Sequence, residues 1–173
     1  MPTFISTIKL TDQGIKEIHD TTKRASAFKS IAKSLGVKVI GQYWTLGRFD
    51  GLLIYDAPDD DTATAAMLKL GSLDYVKRHF GGYGYKAEDV SAQQIGFDLE
   101  VSNAKGVTLL KVAVKGTASG LPGFKLTGEE RTASARDPLW RLLVVTDAGG
   151  PAAQHKIYKP SEMSQAPGFD PLG

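Results

Sequence analysis

Cysteine is absent from all 173 residues. That excludes disulfides, thiolate metal sites and cysteine nucleophiles, and it suits a reducing compartment. Long apolar runs are also absent. None approaches the roughly 20 residues that cross a bilayer, so no membrane partner is expected. The start, Met1-Pro2-Thr3-Phe4, has no basic segment followed by an apolar stretch. No secretory signal is therefore expected, and the cytoplasm is the expected location. Neither sign of charge dominates: 21 Lys and Arg face 19 Asp and Glu, for a net charge of +2. No whole-chain field draws the protein onto nucleic acid, so such a partner would need a local patch. Histidine is scarce, and His19, His79 and His155 lack ligand-like spacing, so no metal cluster is expected from them. No internal repeat of fixed period is found.

What remains is ordinary globular composition, 42% hydrophobic and 23% charged, in a length that suits one medium domain or two small ones. Residues 3–10 alternate, with Phe4, Ser6, Ile8 and Leu10 on one side, as a strand does. Thr11-Asp12-Gln13-Gly14 breaks the run. Ala25, Phe28, Ile31, Ala32 and Leu35 then follow helical spacing, with entry at Asp20-Thr21-Thr22 and a stop at Gly36. Residues 37–45 and 52–56 read as strands around the turn 46–51. Pro58-Asp59-Asp60-Asp61 signals a helix entry, with acids suited to the positive end of the dipole, and Gly71 closes a helix over 63–70. One more strand would complete a split βαβ pair, the ferredoxin-like plan. Residues 75–83 supply it in the reading taken here, although Leu73, Val76 and Phe80 also have helical spacing and Gly81-Gly82 could cap a helix.

Beyond Tyr85 the composition shifts. Residues 95–101 and 107–115 form a hairpin about Asn103-Ala104-Lys105-Gly106. A Gly-rich loop follows, 116–123. It lacks the Lys-Ser/Thr ending of a phosphate loop, and its Ser119 has no neighbouring histidine. A short helix is expected over 128–135, then strands at 139–146 and 156–158. The last residues hold Pro160, Pro167 and Pro171 and read as an extended tail. The expected division is 1–84, 85–162 and a tail 163–173. Tyr43, Trp44, Phe49 and Tyr55 are read as core or dimer packing rather than a pocket.

Two resemblances cover most of the chain. Phe4-Ile5, Thr11 to Ile15, Lys23-Arg24-Ala25, Ala27-Phe28-Lys29, Tyr43 to Gly47, Phe49-Asp50, Ala57 to Asp60 and Leu70-Gly71-Ser72 resemble the GYD-domain family over about residues 1–82. Arg48 and Phe49 intervene where that family commonly carries a tyrosine. The resemblance implies a ferredoxin-like fold that self-associates, hence a homo-oligomer, and no known activity. Glu88 to Ser91, Gly96 to Leu99, Val112 to Gly116, Phe124 to Glu130 and Trp140 to Val145 resemble the family named after the C-terminal part of the plant protein NO VEIN, over about 85–160. That resemblance implies a PD-(D/E)xK nuclease-like fold. The overall expectation is α+β: a ferredoxin-like domain, then a small, reduced restriction-endonuclease-like α/β domain with a mixed sheet.

The nuclease motif is incomplete. Asp98 and Lys115 stand where an acid and a lysine belong, but Ala113 occupies the position of the motif glutamate. Such an enzyme holds Mg²⁺ or Mn²⁺ on oxygens and uses the lysine to orient water or stabilise charge. Asp98, the Val114 carbonyl and Glu100 are the candidate ligands. Strand alternation puts Lys111, Ala113 and Lys115 on one side and Val112 and Val114 on the packed side. A solvated face with cross-strand charge pairs is the competing reading of the same acids and lysines. The expectation is a degenerate, non-catalytic nuclease-like protein that needs no cofactor as written. Its alternatives are a Mg²⁺-dependent nucleic-acid hydrolase whose glutamate was replaced, by nature or by design, and an assembly or small-ligand-binding protein driven by the first domain.

Overall fold

The computed structural model describes residues 1–171 apart from 11–14, 17, 18, 20, 119–122 and 149–151. The expected break at 11–14, the helix entry at Asp20, and Ser119 with its loop neighbours 120–122 lie outside the described residues. The described chain mixes helices with one antiparallel and one mixed sheet, as α+β implies. It groups into two compact units, Met1–Ala66 and Met67–Gly173.

The first unit contains β1 (Thr3–Ile8), α1 (Thr21–Ser34), β2 (Lys38–Trp44), β3 (Gly51–Asp56) and the start of α2 (Asp60–Gly82). Its sheet is antiparallel in the order β1-β3-β2. Alternation along β3 decides its two faces: Leu53 and Tyr55 are buried, Leu52 and Ile54 only half so. Phe4 stacks on Tyr55, and Ile31, Ala32, Ala63 and Ala66 are buried on the helices. The Asp59 side chain accepts the Thr62 N–H and so caps the entry to α2.

The strand expected at 75–83 is instead the last part of α2, which runs unbroken through Gly71 to Gly82. Leu73, Val76 and Phe80, at 3–4 spacing, are all buried, so burial of a helical stripe outweighs the roughly 1 kcal/mol that Gly71 costs inside a helix. The first sheet consequently has three strands among the described residues, without the fourth of the ferredoxin-like plan.

The second unit holds β4 (Lys86–Asp89), β5 (Leu99–Ser102), β6 (Thr108–Gly116), α3 (Gly128–Arg136), β7 (Trp140–Thr146) and β8 (Gln154–Tyr158). The sheet order is β4-β5-β6-β7-β8, antiparallel except for the parallel β6–β7 pair that α3 connects. The β5–β6 hairpin closes on Asn103, whose carboxamide accepts the Lys105 and Val107 N–H groups. Helix α3 begins with a reciprocal cap between Thr127 and Glu130.

Strand β6 is buried on both faces over Val112 to Val114, where the solvated-face reading therefore fails. Ala113 is fully buried with Leu126, Trp140, Leu142, Val144, Tyr158 and Ala166. On the other face, Val112 and Val114 are buried, and a Cβ on Gly116 would collide with the Ser72 hydroxyl and the Leu68 carbonyl of α2. The C-terminal stretch, expected to be extended, folds back. A 3₁₀ helix spans Pro160–Gln165, Ala166 joins the core, and Phe124 exchanges backbone hydrogen bonds with Gly168 and Asp170. Phe169 packs on Phe124 with ring centroids 5.8 Å apart. The aromatics, rather than the prolines, decide the fate of this segment.

Candidate functional site

Asp98 lies just before β5, where the β5–β6 ladder ends. Its own N–H bonds the Val112 carbonyl, and its carbonyl accepts the Val90 N–H. The next ladder groups on β6, the N–H and C=O of Val114, have no strand opposite them. Side chains take over. Asp98 Oδ2 accepts the Val114 N–H at 2.7 Å. Lys69, from α2, donates to the same Oδ2 and, at 2.7 Å, to the Val114 carbonyl. The Lys69 and Asp98 side chains are only 14% and 10% exposed. Buried backbone groups need partners, and this clasp supplies them.

Lys115 sits one residue further along β6. Its ammonium pairs with Glu130 Oε2 at 2.7 Å, the two side chains being 14% and 8% exposed. Glu130 also accepts the Thr127 N–H, so one carboxylate caps α3 and neutralises Lys115. Burial pushes the Lys115 ammonium below its usual pKa. Glu130 opposes that shift, the positive charge of Lys69 adds to it, and Asp98 opposes it weakly. Asp98 and Lys115 therefore feel one another, but each has a different direct partner. Lys111 pairs with Asp137 at 2.7 Å and lies over the Phe97 ring, and its bond to the Asp137 carboxyl holds that group below the usual carboxylate range.

The structure thus brings together Asp98, Val114 and Lys115 and adds Glu130, named in the sequence only as part of a resembling motif, and Lys69, which the sequence reading did not name. Lys69 was hidden because it belongs to a helix assigned to the first domain. Glu100 faces elsewhere: it opposes Lys111 in the register and accepts a hydrogen bond from Thr108. The methyl of Ala113 is sealed in the core. As a divalent-cation site the donor set is poor. Its two convergent oxygens, on Asp98 and Val114, are committed to an ammonium, and no group of three or more His, Cys, Asp or Glu able to hold a metal occurs among the described residues.

Two other places hold exposed chemistry. In the first unit, register places Ile5 beside Ile54, and Leu52 beside Tyr43, on the face of the sheet opposite Leu53 and Tyr55. Ile5 is 67% exposed and Tyr43 55%, with Ile40 exposed at the bulge between Val39 and Gly41. The Tyr43 ring lies across Gly41, where a Cβ would sit 2.6 Å from a ring carbon. In the second unit, His79 and His155, 76 positions apart, meet with ring centroids 4.0 Å apart. The Tyr75 hydroxyl lies 3.3 Å from His155 Nδ1. Burial lowers the His155 pKa, and His79 adds to the shift. Sequence spacing gave no sign of this pair, because a helix and a strand far apart in the chain deliver it.

Comparison with known proteins bears on the first unit. The GYD domain matches residues 4–79. A Thermus thermophilus protein named "Glutamine synthetase and cystathionine beta-lyase binding protein" is 36% identical over 78 residues, covering 44% of this chain and 82% of that protein. No solved structure matches. The GYD match ends at residue 79 and does not reach the motifs around Asp98 and Lys115, so the nuclease resemblance gains no support from it. Through the motifs of its first 79 residues, the chain belongs to the GYD-domain family.

Proposed function

We propose that this chain is a binding and assembly protein whose first unit docks other proteins, a second copy of itself included, through the open face of β1-β3-β2. The carrying observation is that face: Ile5 and Tyr43 are more than half exposed on an antiparallel sheet, with Ile40 exposed at the neighbouring bulge. Exposed aromatic and β-branched residues on a rigid frame favour association over catalysis. The Thermus relative is named for binding two enzymes, so glutamine synthetase and cystathionine β-lyase are the first hetero-partners to test. Light scattering after size exclusion measures self-association of the full chain, and calorimetry measures binding to each enzyme. Ile5→Lys and Tyr43→Lys place charges on the face and are expected to abolish whichever association is found. A chain that stays monomeric and binds neither enzyme refutes the proposal, as does association indifferent to both substitutions.

For the second unit we propose a nuclease-like scaffold without catalysis. The observation in its favour is Lys69, whose ammonium bridges the two oxygens that a catalytic cation would need. No cofactor is then required. Full-length protein with Mg²⁺ or Mn²⁺ is expected to leave plasmid and single-stranded DNA uncut. Metal-dependent cleavage that disappears in Asp98→Ala overturns this reading. Ala113→Glu does not simply repair the motif, since its carboxylate enters the core beside Trp140 and Leu142.

A further inference from the structure

The cluster of Tyr75, His79 and His155 has no part in either proposal. Tyr75 and His79 lie one turn apart on α2, so both project from the same side of the helix. His155 comes from β8. The two imidazoles stand edge to face at 4.0 Å, and both are half-buried. Tyr75 is also fixed, its hydroxyl lying 3.2 Å from the Ala153 carbonyl and 3.3 Å from His155 Nδ1. The His79 ring makes contacts with the rings of Phe80, Tyr83 and His155.

We propose that His79 and His155 form a two-imidazole site for a borderline divalent cation of the Zn²⁺, Ni²⁺ or Cu²⁺ class, with Tyr75 as its positioning residue. Imidazole nitrogens prefer this class over Mg²⁺ or Ca²⁺. Two rings on one tetrahedral ion, each with its nitrogen about 2.0–2.1 Å away, have centroids about 5 Å apart. The rings therefore need to open by about 1 Å and turn about their side-chain torsions. Because both are partly exposed, that turn displaces water rather than core. Tyr75 holds Nδ1 of His155, which leaves Nε2 as the ligating atom, the arrangement in which an outer partner fixes the orientation of a metal-bound histidine. Water completes the shell, so the ion is exchangeable.

The test is calorimetric titration of the full chain with Zn²⁺, with Mg²⁺ as the control. One Zn²⁺ per chain is expected, with no response to Mg²⁺. His79→Gln and His155→Gln should each weaken binding at least tenfold, and His19→Gln should leave it unchanged. Tyr75→Phe should keep the stoichiometry and weaken binding about tenfold, since it removes the hydroxyl that contacts His155 and Ala153 and leaves both imidazoles in place. Circular dichroism of each variant checks that the fold is intact. Absence of Zn²⁺ binding by the folded parent overturns the proposal, and so does binding that survives both His79→Gln and His155→Gln.

Discussion

Replacing Lys69 by Met isolates the worth of the clasp on Asp98. Methionine keeps most of the aliphatic stem and removes only the ammonium. Two consequences follow from the geometry. The Val114 carbonyl loses its side-chain donor, at a cost of about 1–3 kcal/mol when such a group stays buried. The Asp98 carboxylate loses its direct counter-charge, and stripping one partner from a buried ion pair costs about 3–5 kcal/mol. These penalties overlap, and Asp98 keeps the Val114 N–H, so the lower figure applies: about 3 kcal/mol. That is more than a hundredfold in the ratio of folded to unfolded second unit. Urea unfolding followed by tryptophan fluorescence reads it directly, because Trp140 is fully buried in this unit while Trp44 is exposed in the other. Asp98→Asn supplies the other corner of a double-mutant cycle, since asparagine still offers an oxygen to Val114 N–H. The two changes should couple by more than about 1.5 kcal/mol, the double variant losing less than the sum. A loss below about 1 kcal/mol for Lys69→Met, or simple additivity, refutes the clasp.

Three further outcomes are expected. Lys115 has a lowered pKa in the folded state, so between that value and 10.5 the unfolded chain holds more protons; stability from this group rises as pH increases through that window, and urea midpoints against pH should lose this slope in Lys115→Met. Gly96 has φ of +89° and lies against the Glu129 carbonyl, so Gly96→Ala combines backbone strain with a collision; a loss of about 2 kcal/mol or more is expected from urea unfolding. Ala113→Glu should destabilise the second unit without yielding Mg²⁺-dependent cleavage, which paired unfolding and nuclease assays check.

Local pattern carried much of this fold. Asn103 and Gly106 mark the β5–β6 turn, and the sequence predicts a short helix over 128–135, where the structure adds the Thr127–Glu130 cap; hydrogen bonds within a few residues decide both. Strand alternation puts Lys115 and Ala113 on the same side of β6. It could not show that α3 and the C-terminal segment cover that side, since such cover comes from residues far along the chain. Residues 75–83 satisfied two periods, and the buried stripe of Leu73, Val76 and Phe80 decided for the helix. Lys69 was invisible for a related reason. Its role depends on which strand end α2 passes, and no short motif encodes that. The meeting of His79 with His155 likewise exists only once α2 and β8 are neighbours.

The final segment has a practical bearing. Ala166 belongs to the core around Trp140, and Met163 and Phe169 pack against that core. Proteolytic trimming before Pro160 would therefore remove one wall of the hydrophobic interior and let water reach the indole. Its emission would move to longer wavelength long before the chain lost its strands. A preparation clipped there would still look folded by circular dichroism while having lost the packing that keeps Trp140 dry.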